Sequence, residues 1–216
     1  MRDLVAAILD RPDAPNIVKE VQNRLEEEKL KRQHFYAIID EDTKAEFING
    51  EIVYHSPVKK EHNDVAKVLF TLLQSFVMVN DLGYLGYDKI MVSLTRNDFE
   101  PDICFFNKEK AQHFVKGQMH FPAPDFVVEV LSSNEQYDRN VKFKDYELHQ
   151  VKEYWIIDPH QEIVEQYLLG EDDQYALHIK ASDGPIHSKA IKGFSIPIRA
   201  IFDETLAVSV LKDLLQ

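Results

Sequence analysis

Three charged side chains stand where charge is costly. Asp102 follows Pro101 at the start of the apolar run Ile103-Cys-Phe-Phe106, and Glu129 interrupts Phe126-Val-Val-Glu-Val-Leu131. Lys142 falls about one turn into the helix-like run from Asp138 to Gln150. A carboxylate inside an apolar strand needs a cation or several hydrogen bonds to offset its desolvation. A divalent metal is one such cation. Magnesium takes oxygen ligands, commonly one or two carboxylates completed by water and phosphate oxygens, and two strand-borne carboxylates form that sparse set. An ammonium beside them suits phosphodiester hydrolysis, because it can hold the attacking water and stabilise charge building on the phosphoryl oxygens. A bland reading competes at each position. Asp102 could begin a turn, Glu129 could pair with Lys142 in a partly buried salt bridge, and Lys142 could be a solvated helix residue. The order Asp, Glu, Lys on strand, strand, helix favours a shared site over three separate coincidences.

For these groups to meet, the two strands must be neighbours and the helix must come back over their edge. The patterning around them supports that. Asp125–Leu131 reads as a buried central strand, Asp138–Gln150 as a helix with Ser132-Ser-Asn134 as its capping segment, and Tyr154-Trp-Ile-Ile157 as a second buried strand. Strand, helix, strand at this spacing is a βαβ-like unit. Upstream, Glu46-Phe-Ile48 and Glu51-Ile-Val-Tyr54 flank Asn49-Gly50, the pair favoured in type I′ hairpins. Lys59–Val79 has Val65, Leu69, Leu72, Leu73 and Phe76 at helical spacing. Gly83 and Gly86 flank a strand over Lys89–Leu94, and 108–121 reads as an excursion with a short helix at most. Ile163–Leu169 and Tyr175–Lys180 form a hairpin, Ile191–Ile198 is extended, and Leu206–Leu215 is a terminal helix. At the N-terminus, Pro12 and Pro15 confine helix to the stretch before them. A charged helix from an Asn16 cap to about Gln33 follows, then an extended Tyr36–Ile39. The narrow apolar stripe of that helix fits a surface position or a contact with a second copy.

With 216 residues, the chain has room for one large domain with an N-terminal appendage. The expected division is a helical extension over 1–33 and a main domain over 34–216. A formal charge of -12 argues against a protein that coats nucleic acid, but a metal imported into an acidic site brings positive charge with it. The run Leu4–Leu9 is too short for a signal peptide's core and no run reaches membrane-spanning length, so a cytoplasmic location is expected. Cys104 is a lone cysteine in an apolar run, expected to be a small buried hydrophobe.

Several separated motifs agree with one family. Pro101-Asp102, Glu129-Val-Leu-Ser132, Asp138-Arg with Lys142-Phe and Tyr146, and Glu153-Tyr-Trp-Ile-Ile-Asp158 resemble the Uma-type family of bacterial restriction endonucleases. Glu46-Phe-Ile-Asn-Gly-Glu-Ile-Val53 and His62 resemble that family's opening hairpin and helix, and the likeness spans roughly residues 34 to 205. The family is similar to the PD-(D/E)xK nuclease superfamily, which implies an α+β, restriction-endonuclease-like fold, a mixed β-sheet flanked by helices. The resemblance implies Asp102 and Glu129 as metal ligands with Glu46 as a further acidic member, and Mg2+ (or Mn2+) as the cofactor. Leu131 stands two residues after Glu129, where the superfamily's lysine is usually found, so the resemblance implies Lys142 as its substitute from the helix.

His62 has two readings, a phosphate contact or a hydrogen-bonded structural histidine. Tyr146, one turn after Lys142, is placed to orient that lysine, and Trp155 is expected in the core. The leading expectation is a magnesium-dependent endonuclease acting on nucleic acid, DNA before RNA, as a homodimer. The alternative is a non-catalytic nucleic-acid-binding or assembly module that keeps the nuclease fold. A sugar or nucleotide hydrolase with paired carboxylates is a weaker option, because Lys142 would have no obvious task there.

Overall fold

A computed structural model describes residues 2–40, 42–132 and 135–216. The chain divides into two compact units, Met1–His55 and Ser56–Gln216.

The first unit holds α1 (Arg2–Leu9), α2 (Ala14–Ile38) and the strands β1 (Ala45–Ile48) and β2 (Glu51–Tyr54). Pro15 opens α2 instead of ending a helix, since in the first turn a missing amide proton removes no helical bond. The helix therefore starts before Asn16. It also continues through Ile38, across the stretch expected to be extended. Packing explains the extra turn: Phe35 is fully buried and stacks on Phe47 of β1 at 5.8 Å. The hairpin is as expected. Glu46 pairs with Val53, and Asn49 (φ 50°) and Gly50 (φ 84°) supply the two positive φ values of a type I′ turn.

The second unit begins with α3 (Lys60–Val79), β3 (Gly83–Tyr87), β4 (Met91–Ser93), β5 (Asp98–Phe99) and β6 (Ile103–Asn107). The short α4 (Lys108–Ala111), β7 (His120–Phe121) and β8 (Phe126–Val130) follow, then a π-helical turn over Tyr137–Lys142 that runs into α5 (Phe143–Leu148). The chain continues through β9 (Glu153–Asp158), β10 (Ile163–Leu169), β11 (Tyr175–Ala181), β12 (Pro185–His187) and β13 (Ser195–Pro197) to a 3-10 turn at Ile198–Ile201 and α6 (Glu204–Leu214). Of the expected capping segment, Ser133 and Asn134 lie outside the described residues. The helix expected over 138–150 is divided between the π-turn and α5.

Six strands form the main sheet in the order β11-β10-β9-β8-β6-β3. β8 and β9 run parallel and the other neighbours antiparallel, so the sheet is mixed. Beside it, β4 pairs antiparallel with β5 and parallel with β7, and β12 pairs with β13. One face of the main sheet carries the core: Phe126, Val128 and Val130 of β8, with Ile103, Trp155 and Ile157, cluster with Leu69, Leu72 and Leu73 of α3 and Val210 of α6. Trp155 is thus a core residue. The alternating residues Cys104, Val127, Glu129, Tyr154 and Ile156 point to the opposite face. There the π-turn and α5 lie over them, with Phe143 against Tyr154 and Tyr146 on Glu129.

Glu153 shows that this fold can bury a carboxylate without a cation. It is fully buried, and its two oxygens accept from Trp155 Nε1 (2.6 Å), Gln166 Nε2 (2.6 Å), Ser188 Oγ (2.8 Å) and the amides of Lys189 (2.7 Å) and Ala190 (2.8 Å). Five neutral donors spread the charge and fix the 188–190 loop to the sheet.

Gly83 and Gly86 belong to a strand of their own, β3, instead of merely flanking one. Gly83 has φ 151°, and a Cβ there would lie 2.1 Å from the Phe106 carbonyl oxygen of β6. Only glycine permits that close approach at the edge of the sheet. Gly83→Ala is expected to destabilise the protein by about 2 kcal/mol or more, measured by urea unfolding; a loss under about 0.5 kcal/mol would show that β3 can shift without cost.

Candidate active site

Strand register brings Asp102 and Glu129 together. Ile103 pairs with Val128 at the end of the antiparallel β6–β8 ladder, so one step further brings Asp102, just before β6, level with Glu129. Both residues are buried. Asp102 Oδ2 accepts the Val130 amide at 2.8 Å and lies 3.2 Å from His62 Nε2 in the first turn of α3. A carboxylate only accepts, so His62 carries its proton on Nε2. His62 Nδ1 is buried and has no hydrogen-bond partner among the described residues.

Lys142 reaches the same place from the π-turn. Its Nζ donates to Glu129 Oε1 at 3.0 Å and stands 3.3 Å from Asp138 Oδ1, four residues earlier. The Tyr146 hydroxyl donates to the same Glu129 oxygen at 3.1 Å. Phe99 of β5 closes the cage: its ring lies 5.8 Å from the ammonium and packs edge-on against Tyr146 at 5.5 Å. Lys142 is only 4% exposed. The salt-bridge reading of Glu129 and Lys142 is thus realised, as a buried pair. Of the remaining predicted residues, Glu46 lies in the first unit, buried on β1, with Oε2 3.0 Å from His55 Nε2.

Neighbouring groups feel this concentration of charge. Burial, aided by Glu129, pushes the Cys104 thiol well above its ordinary range, so it is an inert core residue. Burial, then Glu129 and Asp138, pushes the Tyr154 hydroxyl up as well; it donates to the Asp138 carbonyl at 3.0 Å. At the far end of α5, Asn97 Nδ2 donates to Asp145 Oδ2 at 2.6 Å and the Thr95 amide to His149 Nε2 at 3.1 Å. These bonds tie the turn before β5 to the helix, and so hold Phe99 beside Lys142.

The sheet row that contains Glu129 continues beyond it. Glu129 pairs with Ile156, Ile156 with Glu165, and Glu165 with Lys180. Glu165 accepts from Arg139 Nη1 of the π-turn (2.8 Å), Lys180 Nζ (2.9 Å) and the Tyr167 hydroxyl (2.7 Å). Burial raises this carboxyl, but those three donors outweigh it and hold the group at about 2.

Comparison with known proteins places the chain. It matches a family, Uma2, described as "Putative restriction endonuclease", over residues 32–199. The chain belongs to the Uma2 family. It is also similar in fold to a solved structure from Anabaena variabilis titled as a "putative nuclease belonging to DUF820", with a TM-score of 0.66 and 18% identity over 82% of this chain and 96% of that one. Comparison with curated proteins gives no match.

In this Uma2 protein the ammonium comes from the π-turn, while Leu131, two residues after Glu129, is an apolar core residue. Sequence reasoning placed Asp138-Arg139 within the family motif but gave neither a role, and it did not single out Phe99 or Glu165. A spacing of four residues before Lys142 could have found Asp138. Phe99 and Glu165 are brought in by strand pairing and carry no local signal.

Two measurements probe the cage. Lys142→Ala leaves Glu129 buried without its cation and should cost about 3 kcal/mol in urea unfolding, partly regained in the Lys142→Ala, Glu129→Gln double variant. Full additivity of the two changes would show that the pair is not coupled. Glu165 also predicts a pH signature. Its folded pKa is depressed, so its stabilisation is present above its ordinary value of 4.5 and lost as pH falls toward about 2. The stability gap between the wild type and Glu165→Gln should shrink over that window; a constant gap would contradict the ion pairing.

Proposed function

We propose that this Uma2 protein is a magnesium-dependent endonuclease that hydrolyses DNA phosphodiester bonds, with Asp102 and Glu129 as the metal-holding pair and Lys142 as the catalytic ammonium. The carrying observation is the strand register that brings Asp102 level with Glu129, one step beyond the Ile103–Val128 pair, with Lys142 Nζ 3.0 Å from Glu129. Among the described residues, no group of three or more His, Cys, Asp or Glu side chains is arranged as a metal cage. The donor set fits a hard cation that completes its shell with water and phosphate oxygens. Formal charge agrees: Asp102, Glu129 and Asp138 carry three negative charges against one from Lys142, a balance of -2. A divalent ion offsets it.

When bound, the ion supplies Lewis-acid stabilisation of charge on the phosphate. The chain's own groups do the rest. Lys142 holds and orients the attacking water through an ammonium proton and stabilises charge on the phosphoryl oxygens as the bond to the leaving oxygen lengthens. Glu129 and Asp138 fix that ammonium, and Tyr146 fixes Glu129. His62 orients Asp102 through Nε2; the burial of Nδ1 favours this role over a phosphate contact. Use as a homodimer is supported by the exposed Val18, Val21 and Leu25 along one stripe of α2. Among the described residues, no helix is long and apolar enough to cross a membrane.

The test is cleavage of supercoiled plasmid and of single-stranded RNA with Mg2+, Mn2+ or chelator, alongside calorimetric titration of each ion. The wild type should nick DNA only with metal. Asp102→Ala and Glu129→Ala should each lower the rate at least about 100-fold and weaken ion binding. Cleavage of neither polymer, together with no ion binding, would refute the proposal. DNA binding without cleavage would favour the non-catalytic module, and cleavage of RNA alone would reassign the substrate.

A further inference from the structure

A π-turn is uncommon, and when one carries functional groups something must hold it in that form. In this protein the turn over Tyr137–Lys142 is joined to the sheet by two ion pairs, with the Tyr154 hydroxyl of β9 on the Asp138 carbonyl between them. Lys142 meets Glu129 on β8 and Arg139 meets Glu165 on β10, with β9 between them. Glu129, Ile156 and Glu165 occupy one row across these strands, so the two anchors are about two strand spacings apart, roughly 9.5 Å. A single anchor would leave the turn free to rotate about its own axis. Two anchors on one row fix both its rotation and its height above the sheet.

The second anchor is well built. The Glu165 side chain is 4% exposed, and each of its oxygens is engaged: Oε1 by Lys180, Oε2 by Arg139 and Tyr167. Arg139 is itself steadied by Glu135, through Nε to Oε2 at 2.7 Å, so its guanidinium bridges two carboxylates. Glu165 is linked to the stretch that carries Lys142 through Arg139, three residues earlier in the same turn.

We infer that Arg139 and Glu165 are positioning residues, which clamp the π-turn so that the Lys142 ammonium stays between Glu129 and Asp138. This rests on the nuclease reading for its catalytic consequence, but not for its structural one. Lys180 and Tyr167 hold Glu165 in place, so their removal should have the same effect in weaker form.

The experiment uses the full chain and has two separate readouts. The first, without metal or nucleic acid, is amide hydrogen exchange over 137–142 and the nitrogen resonance of the Lys142 ammonium. Glu165→Gln and Arg139→Ala should speed exchange in this stretch at least tenfold while exchange in β8 and β9 stays near wild type, and should shift or broaden the ammonium signal. Tyr167→Phe removes one bond to Glu165, leaves the rest of the cluster, and should give a smaller change of the same kind; it keeps the test open if either stronger variant fails to fold. The second readout is metal-dependent plasmid nicking, where kcat should fall about 10- to 100-fold with KM changed less than twofold. Unchanged exchange and an unmoved ammonium signal in the variants would overturn the clamp, whatever the wild type does to DNA. A wild type that neither cleaves nor binds metal would overturn the nuclease reading, while the first readout still decides the clamp.

Discussion

A carboxylate in the middle of a six-stranded sheet must be neutralised where it stands, and much of the second unit is arranged around that requirement at Glu129. β8 is buried on both faces, so Glu129 cannot reach water by bending its side chain. Its partners must come from outside the sheet. The π-turn supplies an ammonium, α5 supplies a hydroxyl, and β5 supplies an aromatic face for the ammonium to rest on. Each of these elements is in turn fastened elsewhere: the turn to β10 through Glu165, and α5 to the β4–β5 turn through Asp145 and His149. The cost of one buried charge is thereby spread over contacts in four elements.

Glu153 makes the contrast instructive. It is as deeply buried as Glu129 and lies one strand away, yet it is satisfied by two backbone amides and three neutral side chains. That solution is permanent, because its donors belong to a loop and a sheet with no other task. Glu129 is held instead by a lysine that is shared with Asp138. A buried carboxylate satisfied by neutral donors gives a stable fold. One satisfied by an ammonium shared with a second carboxylate leaves net negative charge in place, and for that reason the proposed chemistry is assigned to Glu129 and not to Glu153.

The same distinction governs what could be read from the sequence. Glu129 and Glu153 both interrupt or border apolar runs, and only Glu129 was singled out, through its company with Asp102 and Lys142. Local signals served well where one residue pair dictates a conformation, as at Asn49-Gly50, or where apolar spacing is long and regular, as in α3. They failed where tertiary contact overrides them. Tyr36–Ile38 stays helical because Phe35 packs on Phe47, and β3 exists because Gly83 lets the backbone touch β6. For the candidate site, residue type and order singled out Asp102, Glu129 and Lys142, and the Glu129–Lys142 ion pair was among the readings they offered. The groups that complete it were not singled out: Phe99 and Glu165 reach it through strand pairing, and pairing partners are set by topology, not by neighbours in sequence.

The relocated lysine ties these strands of argument together. Leu131, two residues after Glu129 and just past the end of β8, is a buried apolar residue, so that position offers no ammonium. A strand-borne lysine is held by the sheet and needs no further support. A lysine on a six-residue π-turn has only the turn to locate it, and a turn resting on one buried ion pair can still roll. An ammonium carried by the turn therefore gains from a second fixed point on the same row of the sheet. Arg139 on Glu165 supplies that point at two strands' distance, and the bond to Glu135 keeps the guanidinium from turning away. The ion-pair cluster at Glu165 thus acts on the placement of Lys142 through the turn that carries both Arg139 and Lys142.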